Sequence, residues 1–195
     1  MRALLVVAAL ARVASADDDE PTVTRAGEAN LASKSLRQGV QLSGVIGGAL
    51  SIGFSMPDAN GTGGAVSLRI GEPMTPSWVL NLELLGGGQL HRTTGTMNTD
   101  PVIDNDTNAL IGAQYYPSES FFIRAGVGVG TYKQTKAARD LHDHKYVGPA
   151  IAVGLGLELI RVKHLIFDFE LFSTSMMNRE GLLATTAFGL GATIH

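Results

Sequence analysis

Residues 41–54 read Gln-Leu-Ser-Gly-Val-Ile-Gly-Gly-Ala-Leu-Ser-Ile-Gly-Phe. Taken alternately, Leu42, Gly44, Ile46, Gly48, Leu50, Ile52 and Phe54 fall on one side. Gln41, Ser43, Val45, Gly47, Ala49, Ser51 and Gly53 fall on the other. One side is greasy and the other small or polar. A period of two marks a β-strand, because successive side chains of an extended chain point to opposite faces.

The same alternation recurs along the rest of the chain. A second strand is predicted over Ala65–Ile70, with Val66, Leu68 and Ile70 opposite Ser67 and Arg69. Gly71–Pro76 reads as a tight connection. A third strand, Trp78–Leu90, sets Trp78, Leu80, Leu82 and Leu84 against Asn81, Glu83 and Gln89. The fourth, Thr107–Tyr116, sets Ala109, Ile111, Ala113 and Tyr115 against Asn108, Gly112 and Gln114, with Leu110 on the polar side. The fifth, Phe121–Lys133, places Ile123, Ala125, Val127 and Val129 opposite Arg124, Gly126, Gly128, Gly130 and Tyr132. The sixth, Tyr146–Ile160, places Ile151, Val153, Leu155 and Leu157 opposite Ala150, Ala152, Gly154, Gly156 and Glu158. The seventh opposes Leu165, Phe167, Phe169 and Leu171 to Asp168, Glu170 and Thr174, and the eighth, Leu182–Ile194, opposes Phe188, Leu190 and Ile194 to Thr185, Gly189, Gly191 and Thr193.

Long connections (Met56–Gly64, Arg92–Asp106, Gln134–Lys145 and Met176–Gly181) interleave with tight ones. This asymmetry belongs to transmembrane barrels, which have short periplasmic turns and longer extracellular loops. The expected fold is all-β, an eight-stranded antiparallel up-and-down transmembrane β-barrel over residues 39–195.

Sidedness separates that reading from a soluble barrel. The apolar face is nearly free of charge, whereas the opposite face carries Arg69, Glu83, Arg124, Glu158, Asp168 and Glu170. Unpaired charges cannot fill a dry core, since each costs several kcal/mol or more. A lipid-facing exterior around a polar lumen accommodates both faces.

Composition agrees. Of 195 residues, 45% are hydrophobic and only 17% charged, and 24 are Gly, well above the usual ~7%. The net charge of -3 excludes nucleic acid as a main partner, which needs a basic surface. Met1-Arg2, the apolar stretch Ala3–Leu10 and Ala14-Ser15-Ala16 form a signal peptide with an A-x-A cleavage site, placed at residues 1–16. Residues 17–38, opening on Asp17-Asp18-Asp19-Glu20, read as a flexible periplasmic leader. The chain has no Cys, so its stability comes from packing and lipid rather than from disulfides.

With these residues in view, the chain resembles the small eight-stranded outer-membrane barrels of the OmpA-barrel, OmpX and OmpW kind. The resemblance covers about Gly39–His195 and rests on strand count, Gly-spaced alternation, the Pro-rich approach to Trp78 and loop asymmetry. It implies a cell outer-membrane location, lipid and lipopolysaccharide around the barrel, and assembly by the outer-membrane machinery. In this class the last strand usually ends in an aromatic residue, whereas here the terminal residue is His195.

If both termini are periplasmic, the six lumenal charges gather low in the barrel or near mid-depth. Ser51, Ser67, Gly128, Gly130, Ala150 and Ala152 then line an open vestibule above a charged plug. The expected role is structural or surface-interacting, with the lumen closed by the charged network. The alternatives are a narrow channel or small-molecule transporter, and a soluble exported lipocalin-like ligand carrier.

No catalytic set, cofactor or metal site is expected. Gly126-Val-Gly128-Val-Gly130 is not a phosphate loop, because no helix follows it. Asp104-Asn105-Asp106-Thr107-Asn108 has the opening spacing of a calcium loop without the later Gly and Glu, and reads as a solvated loop. Asp140-Leu141-His142-Asp143-His144 reads as a polar loop tip.

Overall fold

In the computed structural model, residues 39–56, 59–91, 102–134 and 144–195 are described. The signal peptide, the leader, residues 92–101 and the tip around Asp140 lie outside them. Eight strands follow one another: β1 Gln41–Phe54, β2 Gly61–Thr75, β3 Trp78–His91, β4 Val102–Tyr115, β5 Phe121–Gln134, β6 His144–Val162, β7 Leu165–Met177 and β8 Leu182–Ile194. Each pairs antiparallel with the next, and β8 returns to β1 through rungs such as Ile46 with Leu190. Closure leaves no unpaired edge, which is the condition for a sheet to survive in hydrocarbon.

The strands run longer than the alternation predicts. Gly71–Thr75 is the end of β2, not a connection, and only Pro76 and Ser77 turn the chain into β3. Alternation fades there because Glu72, Pro73 and Met74 break the polar-apolar rhythm, and the pairing itself slips between Pro73 and Thr75. The Thr75 hydroxyl accepts hydrogen bonds from the Ser77 and Trp78 amides at 3.3 and 3.1 Å, which fixes the tight reversal. The Asp104–Asn108 segment, read as loop, lies within β4.

A second irregularity lies in β6, where the register shifts between Glu158 and Ile160. This bulge leaves Leu159 and Ile160 both exposed and brings Arg161 round to the inner face. The two-residue turn that follows holds Lys163 at φ 48°.

The two faces differ in chemistry as the alternation requires. Leu80, Val127, Leu155 and Phe169 point outward, and Val127 is 64% exposed. Arg69, Arg124 and Glu170 are buried inside, Glu170 fully. A soluble ligand carrier needs the reverse sidedness, with apolar groups within and charges in water. That third reading is therefore corrected: so continuous an apolar exterior is stable in lipid, not in water.

The apolar band does not cover the whole barrel. On β2 to β5 it occupies the half nearest the tight turns. Toward the long-loop end the same outer face carries Thr62, Gly88, Asn105, Thr107, Thr131 and Lys133, with Ile103 the exposed apolar exception at the start of β4. A tilted strand crosses a bilayer in ~9–11 residues. β2 to β5 are 14 or 15 residues long, so their last rungs stand clear of the hydrocarbon. At the opposite rim Trp78 and Tyr115 face outward with ring centroids 4.7 Å apart. Amphipathic rings of this kind sit at the level of lipid headgroups.

Candidate functional site

The lumen of an eight-stranded barrel is just wide enough for its own side chains. Here they are arranged in layers. Nearest the tight turns, Val79, Tyr116 and Phe122 form an apolar floor. Above it stands the ionic cluster, and above that a larger apolar layer.

Four of the six sequence-predicted charges meet. Arg69 on β2 reaches across the lumen to Glu170 on β7, with Nη1 donating to Oε2 at 2.9 Å and Nη2 paired with Oε1. Arg124 on β5 pairs through Nη1 with Glu83 on β3. Its Nη2 lies 3.2 Å from Glu170 Oε2, an ion-pair contact without hydrogen-bond alignment. Glu170 thus joins both arginines, and the quartet is neutral. Phenyl rings complete the cage: the Arg124 guanidinium sits 4.7 Å above the Phe172 ring, and Arg69 lies 5.9 Å from that of Phe122.

Of the other two charges, Asp168 lies against Glu170 at the edge of the quartet, and Glu158 pairs elsewhere. Glu158 accepts from Arg161 Nε at 2.8 Å, a pairing that the bulge creates and that strict alternation hides. Asp168 Oδ2 is 3.5 Å from the Thr193 hydroxyl, which in turn meets Ser43 Oγ at 2.8 Å across the closing seam.

The expected open vestibule is not present among the described residues. Ser67 belongs to the ionic layer, donating to Glu83 Oε1 at 2.7 Å. Ser51 Oγ is 2.8 Å from Thr185 Oγ1. Ala150 and Ala152 are wall positions of an apolar cluster that contains Leu85, Leu110, Tyr132, Phe172, Met176 and Leu183. Gly128 and Gly130 belong to the same wall. A Cβ on Gly130 would lie 2.9 Å from Met176 Cγ, and one on Gly128 would lie 2.0 Å from the Ala109 carbonyl oxygen. Gly130 leaves room for the Met176 side chain, and Gly128 for the close approach of the β4 backbone.

Sequence reasoning missed Arg161, Phe122 and Phe172, and a polar group nearer the long loops. There Asp104 and Asp106 on β4 turn inward beside Gln89 on β3, and Asp104 Oδ2 accepts from the Tyr132 hydroxyl at 2.8 Å. The signal was available: extending the β4 alternation back from Asn108 puts Asp106 and Asp104 on the inner face.

No family model matches the chain, and no curated relative matches it. Among solved structures it is similar to Ail, the attachment invasion locus protein of Yersinia pestis, in complex with the heparin analogue sucrose octasulfate. Identity there is 14% and the TM-score 0.56, over 80% of this chain and 100% of that one. It is also similar to Neisserial surface protein A, at 8% identity and a TM-score of 0.59, over 80% of this chain and 97% of that one. Fold and sidedness together define the class: a small eight-stranded outer-membrane β-barrel.

Proposed function

We propose that the barrel is a closed outer-membrane anchor whose work is done by its exterior and its long-loop end, not by passage of solute through the lumen. The observation that carries this reading is the filled interior. An apolar floor, a neutral ionic quartet and a broader apolar layer succeed one another along the axis. A solute would have to displace all three. Under this reading the partners are outer-membrane lipid and lipopolysaccharide around the apolar band, the outer-membrane assembly machinery, and a surface ligand at the loops.

The test is electrical. The purified full chain, reconstituted in planar bilayers, is expected to give no steady conductance. A long-lived, reproducible open level in the unsubstituted protein would instead favour the narrow channel, with the Glu83–Arg124–Glu170–Arg69 quartet as its gate.

A further inference from the structure

We infer that Asp168 is held as the neutral acid and donates its proton to Glu170, so that the plug closes around one bound proton. Asp168 is 2% exposed and lies against Glu170, which is fully buried. Two carboxyl groups in contact and out of water do not both ionise; the stable arrangement is one proton between them. The charged groups that face Asp168 are Arg69 on β2, Arg124 on β5, Glu158 on β6 and Glu170 on its own strand. Both terminal nitrogens of Arg69 go to Glu170, and those of Arg124 go to Glu83 and Glu170. Glu158, the ladder partner of Asp168, adds a negative charge and takes Arg161.

The oxygens of Asp168 agree. Oδ1 has no hydrogen-bond partner, and Oδ2 meets the Thr193 hydroxyl at 3.5 Å, beyond the usual span of about 2.5–3.0 Å. An ionised carboxylate accepts on both oxygens and is costly to bury without donors. The neutral acid instead supplies a donor of its own to Glu170. Charge balance points the same way. Arg69, Arg124 and Arg161 stand against Glu83, Glu158, Asp168 and Glu170, and a proton on Asp168 makes the group neutral. On β8 the ladder partner is Gly191, where a Cβ would lie 2.1 Å from Asp168 Oδ1, so glycine leaves the acid its room. Loss of the proton puts an unpaired buried charge at the edge of the quartet, so the closed lumen is weakest at high pH.

The test uses the full chain folded in an ester-free detergent. At neutral pH the unsubstituted protein is expected to show the infrared carbonyl band of an un-ionised carboxylic acid, and Asp168→Asn is expected to lose that contribution. Stability gives a second readout. In the unfolded chain this carboxyl ionises at about pH 4, so above that pH the native state binds one proton more. Stability therefore falls as pH rises. Asp168→Asn binds no proton there in either state. The unfolding constant of the unsubstituted chain is expected to rise relative to that of Asp168→Asn by about tenfold per pH unit between about pH 5 and pH 7. Heat-modifiable gel migration shows whether each protein is folded. If Asp168→Asn is not, Asp168→Ala carries the comparison. An unchanged carbonyl band in the folded variant would overturn the inference, and so would a ratio that does not move with pH. Neither result bears on whether the lumen conducts, so this proposal and the closed-anchor reading fail separately.

Discussion

Glu170→Ala is expected to lower the unfolding free energy by about 3–5 kcal/mol, the cost of removing one partner from a buried ion pair. Glu170 is fully buried and contacts both Arg69 and Arg124. Its loss leaves Arg69 without the partner it reaches across the lumen, and Arg124 without one of its two ion-pair contacts. Urea titration of the barrel in liposomes, followed by gel migration, measures the change. Converting the whole quartet at once (Arg69→Met, Arg124→Met, Glu83→Leu and Glu170→Leu) is expected to recover most of the loss, because buried ion pairs replaced by apolar groups of similar size are often neutral in stability. A quadruple variant weaker than Glu170→Ala would mean that the quartet contributes net stability of its own.

The second large effect is on the outside. Val127 lies at the middle of β5, facing outward within the apolar band. Val127→Arg is expected to cost about 2–4 kcal/mol, the range for a basic side chain at the bilayer midplane of a barrel. Thr62→Arg, on the same outer face but beyond the band, is expected to cost about 0–1 kcal/mol, as near an interface. The comparison is made by the same urea titration. Equal costs at the two positions would place the hydrocarbon elsewhere on the barrel.

Much of this was legible in the residues. Strict alternation in β1 and β5 sets both the fold and the sidedness, because a slip of one residue would carry Arg124 into lipid. What remained hidden lies where the alternation is locally broken or where size matters more than polarity. The bulge at Leu159 reverses parity, so Arg161 looked like part of a turn and Glu158 like a member of the central cluster. The vestibule was inferred from Gly128, Gly130, Ala150 and Ala152 alone. Inward parity also holds for Leu85, Leu110, Phe172 and Met176, and these fill the space that the small residues leave. Which charges pair across a lumen depends on shear and strand tilt, which no single strand records. Arg69 and Glu170 are 101 positions apart in sequence and meet only when the barrel closes.

The central claim is that grease faces lipid and ions face the lumen. The chain contains no cysteine, so single-cysteine variants report position without interference. Leu80→Cys, Val127→Cys, Leu155→Cys and Phe169→Cys, each carrying an environment-sensitive fluorophore in liposomes, are expected to be quenched strongly by lipids brominated on the acyl chain. Ala152→Cys, on the inner wall, is expected to resist that quenching. Should the four outer positions be quenched by aqueous iodide and spared by the brominated lipid, the barrel does not sit in the bilayer as described.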